Sequence, residues 1–281
     1  MASSFYYSYI NYFRKKNTLA KGSYFAKHIA LQESGDAAPQ RQYLPQVQIS
    51  EDVKQSFEAG QVILIDKPLH WTSFDVIRKI RSTIKIKKVG HAGTLDPLAT
   101  GLLIVCTGKF TKKINEYMAQ VKEYTGTFTL GATTPTYDKE STPENFKSYS
   151  HITEEEIKSA TIKFLGEIQQ YPPIYSAIKN EGVALYELAR RGEEVTLKAR
   201  TVQINEFEIT GVELPVINFR VLCGTGTYIR SLAHDMGAVL GCGAYLSELR
   251  RTKIGEMNVN DAKTMESFIE HLADISTNTI T

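Results

Sequence analysis

The residues best placed to do chemistry lie in one short segment, Gly90-His91-Ala92-Gly93-Thr94-Leu95-Asp96-Pro97-Leu98-Ala99-Thr100-Gly101. Three glycines in twelve positions permit tight turns and close approach of a partner. Asp96 is a candidate for acid, base or nucleophilic chemistry. An Asp-Pro pair also has an ordinary use, with Asp96 capping a helix whose first residue is Pro97. A single histidine such as His91 is likewise more often structural than catalytic. Six basic residues lead into the segment, Arg78, Lys79, Arg81, Lys85, Lys87 and Lys88, with no acid between Val76 and Leu95. Lys109, Lys112 and Lys113 follow it. A local basic surface suits a phosphate backbone, although the same charges also make an ordinary solvated helix face.

Other chemistries fail on spacing. Gly108-Lys109 lacks the earlier glycine of a phosphate-binding loop, because that position is Leu103, and Phe110 follows the lysine. Gly224-Thr225-Gly226 would need a third glycine where Ile229 stands. The histidines form no close ligand pair, and Cys106, Cys223 and Cys242 form no CxxC. No metal, nucleotide or nicotinamide cofactor is expected. The three cysteines suit a reducing compartment better than a disulfide scaffold.

The twelve-residue segment resembles the catalytic loop of the TruB family, which makes pseudouridine at position 55 of tRNA. The family pattern Gly-His-x-Gly-x-Leu-Asp-Pro-x-Ala-x-Gly is filled at every fixed position. Further segments resemble family motifs in order: Asp66-Lys67-Pro68, Lys122-Glu123-Tyr124, Tyr175-Ser176-Ala177-Ile178-Lys179, Gly226-Thr227-Tyr228-Ile229-Arg230 and Leu249-Arg250-Arg251. The likeness runs from about Gln61 to Gly255.

The resemblance implies that Asp96 is the catalytic carboxylate, paired with Arg230 and with Tyr228 beside the target base. It implies that Tyr124 stacks on the base, that His91 helps to flip it, and that Lys67 and Lys179 support the site. Physical chemistry agrees. Extruding a uridine costs a few kcal/mol, and an aromatic platform recovers about 1–3 kcal/mol per base. A carboxylate in a dry pocket protonates unless it has a partner, and a guanidinium that cannot lose its proton keeps it ionised. Whether Asp96 acts as nucleophile or base stays open. The T-arm of tRNA is the implied partner. It would be gripped by an insertion at about Asn180–Ala199 carrying Arg190, Arg191 and Lys198, while Arg78, Arg81, Lys85, Lys87 and Lys88 meet the RNA backbone. The longer members' C-terminal PUA domain is not expected in the short stretch after Gly255, and Tyr245 stands where many members have His. A non-catalytic tRNA-folding factor and a guide-RNA-dependent relative are the competing readings. An intact Asp96, Tyr228 and Arg230 set counts against the first, and the expected lack of a PUA domain against the second.

The elements that must position these residues follow from periodicity. Val62–Asp66, Leu102–Cys106, Lys122–Leu130, Thr201–Thr210, Pro215–Cys223 and Ala244–Leu249 read as strands. A helix capped by Ser73 should bury Phe74, Ile77, Ile80 and Ile84. Lys109–Met118 reads as one helix, Thr153 and Glu156 form a capping box for another, and Ala184–Arg191 and Ile229–Leu240 read as two more. Strands and helices interleave without a regular βαβ rhythm, so the expected fold is α+β around a mixed, largely antiparallel sheet, the pseudouridine synthase fold.

The chain has 281 residues, 42% of them hydrophobic, and a net charge of +2. Its length allows one large domain or two small ones, and it has no apolar run near the ~20 residues of a membrane span. Residues 1–60 are expected to be an extension and linker, residues 61–260 the catalytic domain, and residues 261–281 a tail. A chain beginning near Glu58 is expected to fold and stay active. The protein is expected to be cytoplasmic and monomeric.

Overall fold

The computed structural model describes residues 47–176, 179–180, 183–184, 191 and 197–277. They lie within one compact unit, Leu44–Thr281. Its centre is a mixed sheet in the order β1-β3-β10-β4-β9-β8-β5, with β2 paired to β3 and β11 to β10. These strands are β1 (Val62–Lys67), β2 (Val89–His91), β3 (Ala99–Thr107), β4 (Lys122–Leu130), β5 (Gly166–Gln170), β8 (Arg200–Glu213), β9 (Val216–Cys223), β10 (Ala244–Ile254) and β11 (Met257–Asn258). β6 (Lys179–Asn180) and β7 (Val183–Ala184) form a separate two-stranded ladder. The β3–β10 pair is parallel and the other ladders of the main sheet are antiparallel, as the α+β reading expects.

β3 is buried on both faces, as its unbroken apolar run requires. Leu103 and Val105 enter one core cluster, while Leu102, Ile104 and Cys106 enter another. β4 alternates, burying Lys122, Tyr124, Phe128 and Leu130. Phe128 stacks on Phe219 of β9 at 4.1 Å between ring centroids. The buried Lys122 donates to the carbonyls of Met118 and Gln120, which leave helix α3 (Ile114–Ala119) without partners.

Helix α2 (Ser73–Ile84) is capped by Thr72, not Ser73. Thr72 and Asp75 form the reciprocal box, and Ser73 is buried at the first helical position. The buried stripe is Val76, Ile77, Ile80, Thr83 and Ile84. Phe74, expected within it, is 61% exposed, because it stands above Arg78, Arg81 and Lys85 on the opposite face at helical spacing. The expected helix at Lys109–Met118 is two pieces, a 3-10 segment (Gly108–Lys113) followed by α3. The capping box of α4 (Glu154–Thr161) forms as expected. The helix expected at Ala184–Arg191 is not found at its start, since Ala184 lies in β7; residues 185–190 fall outside the described residues.

Both margins of the expected domain move outward. Helix α1 (Glu51–Ala59), capped by Ser50, buries Val53 and Phe57 against β1 and β3. Thr107 Oγ1 donates to the Phe57 carbonyl at 2.8 Å. Residues 51–59 therefore belong to the core and not to a linker, because an amphipathic helix with two buried anchors needs the sheet to cover it. At the other end, helix α6 (Met265–Thr277) buries Met265, Phe268, Ile269 and Leu272 in the same cluster. The expected tail is a packed helix. No helix among the described residues is long and apolar enough to cross a membrane.

A chain beginning near Glu58 loses both α1 anchors and should be markedly less stable than one beginning at Val47. Phe57→Ala alone should cost about 3 kcal/mol, read as a lower denaturant midpoint. A loss within about 0.5 kcal/mol, the range of ordinary surface substitutions, would remove α1 from the core.

Candidate active site

Asp96 caps no helix. Asp96-Pro97-Leu98-Ala99 is a turn closed by the Ala99 N–H on the Asp96 carbonyl at 3.1 Å, and it runs directly into β3. The turn is pinned on both sides of the carboxylate. The Leu95 N–H donates to Ser73 Oγ at 2.9 Å, and the His70 N–H donates to the Pro97 carbonyl at 2.8 Å.

Helix α5 (Ile229–Val239) brings Arg230 to this turn. The Arg230 side chain is 6% exposed, and its Nε lies 2.9 Å from Asp96 Oδ2. That contact is an ion pair without an aligned hydrogen bond. Nη2 reaches Asp96 Oδ1 at 3.4 Å and donates to the Tyr175 carbonyl at 3.1 Å, and Nη1 donates to the Thr136 carbonyl at 3.1 Å. A second carboxylate, Asp138, places Oδ2 3.7 Å from Arg230 Nε. Asp138 is fixed by Thr136 Oγ1 at 2.6 Å and by the Glu140 N–H at 2.9 Å. Burial raises its pKa, while Thr136 and Arg230 oppose that rise. One guanidinium is thus shared between a buried acid, Asp138, and the partly exposed Asp96. The Asp96 side chain is 40% exposed, so the dry pocket expected for this carboxylate is instead an open cleft. The cleft is shallow and also meets Leu98, Asp138, Lys139, Leu246 and Leu249.

Tyr228 immediately precedes α5. Gln170 of β5 holds its backbone from both sides, accepting from the Tyr228 N–H at 2.8 Å and donating to its carbonyl at 3.1 Å. Burial raises the phenol pKa, and neighbouring Ser176, Arg200 and Arg230 hold it back. The charge of Asp96 also acts on this phenol. Tyr124 is buried on β4, where Arg251 restrains the upward pull of burial on its pKa. Arg251 of β10 is 1% exposed and lies under the loop, donating to the Leu102 carbonyl at 2.8 Å and the Gly93 carbonyl at 3.1 Å. A side chain at Gly101 would meet the Arg251 backbone at 2.3 Å, so only glycine lets β3 approach β10 here. His91 ends β2, and burial lowers its pKa, with the charge of Arg251 adding to the effect.

Lys67 is fully buried. Its ammonium donates to the Pro68 carbonyl at 2.9 Å and the Trp71 carbonyl at 2.6 Å, closing the loop that leads to Thr72 and α2. Burial lowers its pKa to about 8, against the pull of nearby Asp96. Its neighbour Asp66 makes a two-pronged pair with Arg250 at 3.0 and 2.7 Å.

Of the expected residues, Arg230 touches Asp96 directly, Tyr228, Tyr124 and Lys67 lie within reach of the Asp96 charge, and His91 lies near Arg251 instead; among them only Asp96 lines the cleft. Lys179 lies in β6, and its side chain is outside the described residues, as is Arg190. Arg78, Arg81, Lys85, Lys87, Lys88, Arg191 and Lys198 are all exposed. Asp138, Thr136, Gln170 and Arg251 were not expected as site residues. Arg251 had a visible signal, a second arginine inside a strand that pairs with buried β3. Asp138 and Gln170 had none, since only the fold brings them to α5.

Lys67 generates a pH prediction. Its folded pKa lies below the ordinary 10.5, so between about 8 and 10.5 the unfolded chain binds the extra proton and stability rises with pH. The stability difference between wild type and Lys67→Met should therefore move in favour of wild type across that interval in pH-dependent denaturation. A flat difference would show an unperturbed lysine.

Comparison with known proteins agrees with this geometry. Residues 81–229 match the model for the TruB family pseudouridylate synthase N-terminal domain. Residues 230–278 match that for the tRNA pseudouridylate synthase B C-terminal domain, so the family match extends through α6. The tRNA pseudouridine synthase B of Flavobacterium johnsoniae is 54% identical over 220 residues, covering 76% of this chain and 96% of that protein. Its counterpart in Phocaeicola vulgatus is 49% identical, covering 77% and 95%. A solved Cbf5–Nop10–Gar1 complex contains a similar fold at TM-score 0.63 and 28% identity, covering 84% of this chain and 64% of that one. A chain in an H/ACA RNP bound to a substrate RNA containing 2′-deoxyuridine aligns at TM-score 0.61 and 27% identity, covering 82% and 58%. With both family models matched in succession and the Asp96–Arg230 pair at the head of the cleft, the chain belongs to the TruB family of pseudouridylate synthases.

Proposed function

We propose that this protein converts uridine 55 in the T-loop of tRNA to pseudouridine, with Asp96 as its catalytic carboxylate and no cofactor. The observation that carries the reading is the Asp96–Arg230 pair. The buried guanidinium holds one side of the carboxylate, and the other side faces an open cleft. Relatives named tRNA pseudouridine synthase B, about half identical over most of the chain, supply the substrate class.

The isomerisation breaks the bond from C1′ to N1 and makes one from C1′ to C5. The C5 proton leaves and N1 takes one up, so no redox partner or group donor is needed. A uridine inside a folded loop must first be extruded, at a cost of a few kcal/mol. His91, kept neutral by burial, assists that extrusion beside the turn. Tyr124 offers its ring to the displaced base, and Tyr228 borders it at the mouth of α5. Asp96 then attacks the sugar or takes a proton from it. Arg230 orients the carboxylate without itself being able to donate a proton, and Asp138 and the two carbonyls keep Arg230 in place. Lys67 acts by holding the Pro68–Trp71 loop, and Lys179 is a second support of the site. Arg78, Arg81, Lys85, Lys87 and Lys88, with Arg190, Arg191 and Lys198 of the insertion, meet the RNA phosphates. The enzyme works as a cytoplasmic monomer on the T-arm.

Asp96→Asn should abolish pseudouridine formation in a T-arm stem-loop while leaving RNA affinity within about twofold, since the amide keeps the shape and loses the ionised oxygen. Product is counted by release of tritium from C5 and affinity by filter retention. Full turnover by the variant would overturn the assignment.

A further inference from the structure

A second recognition element lies beside the cleft, on helix α2. Its N-terminal approach is stitched to the catalytic turn at the residues flanking Asp96, through Ser73 to Leu95 and His70 to Pro97. Farther along, Arg81 Nη2 donates to the Val89 carbonyl at 3.1 Å, just before His91. The helix thus runs along the whole catalytic segment and cannot drift from it. Its outward stripe reads Phe74, Arg78, Arg81, Ser82 and Lys85, all exposed. Asp75, the helix's single acid, is committed to the cap and to Arg78. Phe74 is 61% exposed and enters none of the three core clusters. About three turns of helix therefore join a bare aromatic ring to a row of cations, with the ring next in sequence to Ser73, which is bonded to Leu95 beside Asp96.

Resting on the tRNA reading above, we propose that Phe74 is a stacking platform for an unpaired nucleobase of the T-loop adjacent to the extruded uridine, with Arg78, about one turn along α2, and Lys85, about three turns along, taking phosphates of the strand that leads away from that base. The chemistry of the stripe fits a single-stranded nucleic acid and fits a protein groove poorly. Cations repeated at helical spacing match a phosphate chain, and one aromatic face matches any base without reading its edge. The platform lies outside the Asp96 pocket. It holds the loop in its opened form while the target base occupies the cleft.

The test uses the full chain and T-arm stem-loops carrying 2-aminopurine at each unpaired loop position in turn, leaving the target uridine intact. Wild type should quench the probe strongly at one position besides any disturbed by base flipping. Phe74→Leu should lose that quench and bind about tenfold more weakly, within the range of one base–aromatic stack, whereas Phe74→Tyr should keep both. Because Phe74 is exposed, thermal melting should show Phe74→Leu to be folded. A folded Phe74→Leu with wild-type affinity and quenching, and normal product, would overturn the platform and leave the enzymatic reading standing. Failure of the wild-type chain to bind or convert the stem-loop would overturn both.

Discussion

The arrangement of the cleft depends on satisfying a guanidinium that is almost wholly removed from water. A buried arginine left unpaired would be costly, and its planar fork accepts few alternatives. Arg230 is held by groups from three separate segments: Asp96 on the turn before β3, Thr136 and Asp138 after β4, and the Tyr175 carbonyl before β6. Thr136 alone accepts from Nη1, so moving it would leave that donor without a partner. The demand for partners by a single side chain thus locates the Asp96 carboxylate. The carboxylate itself need not be buried to be held, and its exposed edge is the edge a substrate can reach.

A second buried cation repeats this logic beneath the loop. Arg251 ties the Gly93 and Leu102 carbonyls to β10, and β10 meets β3 in the one parallel ladder of the main sheet, where Gly101 allows the two backbones to touch. Arg250, the preceding residue, faces the opposite way and clasps Asp66 of β1. Adjacent arginines on one strand therefore bind opposite sides of the sheet, as a period of two requires. Lys67, next to Asp66, closes the loop before α2 by the same alternation. The short motifs at the two ends of the sequence are halves of one clamp around β3.

Positioning by buried charges has a functional consequence. Asp96 and Arg230 are held by neighbours fixed in the fold, the kind of preorganisation that saves orientation cost in catalysis. The helix that carries the basic face, α2, is tied to the same loop through Ser73 to Leu95 and Arg81 to the Val89 carbonyl. The outlying helices α1 and α6 cover the far side of β1 and β3 with apolar side chains. They contribute rigidity there without entering the cleft.

Much of this was legible before any fold was known. Strands β1, β3, β4, β8, β9 and β10 follow from local periodicity and β-branched content, and the α4 cap follows from a Thr and a Glu three residues apart. The glycine-rich segment with Asp96, and the motif carrying Tyr228 and Arg230, stand out because residue type and order survive in one dimension. Periodicity alone misplaced Phe74, since an apolar residue at a helix's first turn says nothing about whether an opposing surface exists to cover it. Residues 51–59 and 265–277 looked peripheral for the converse reason: their apolar stripes acquire meaning only against the sheet. Asp138, Gln170 and the acceptor carbonyls of Thr136 and Tyr175 could not be found in the chain order at all. Their roles arise from distance in space, because a buried donor recruits whichever acceptor the packing brings within 3 Å or so, however far away it lies along the chain.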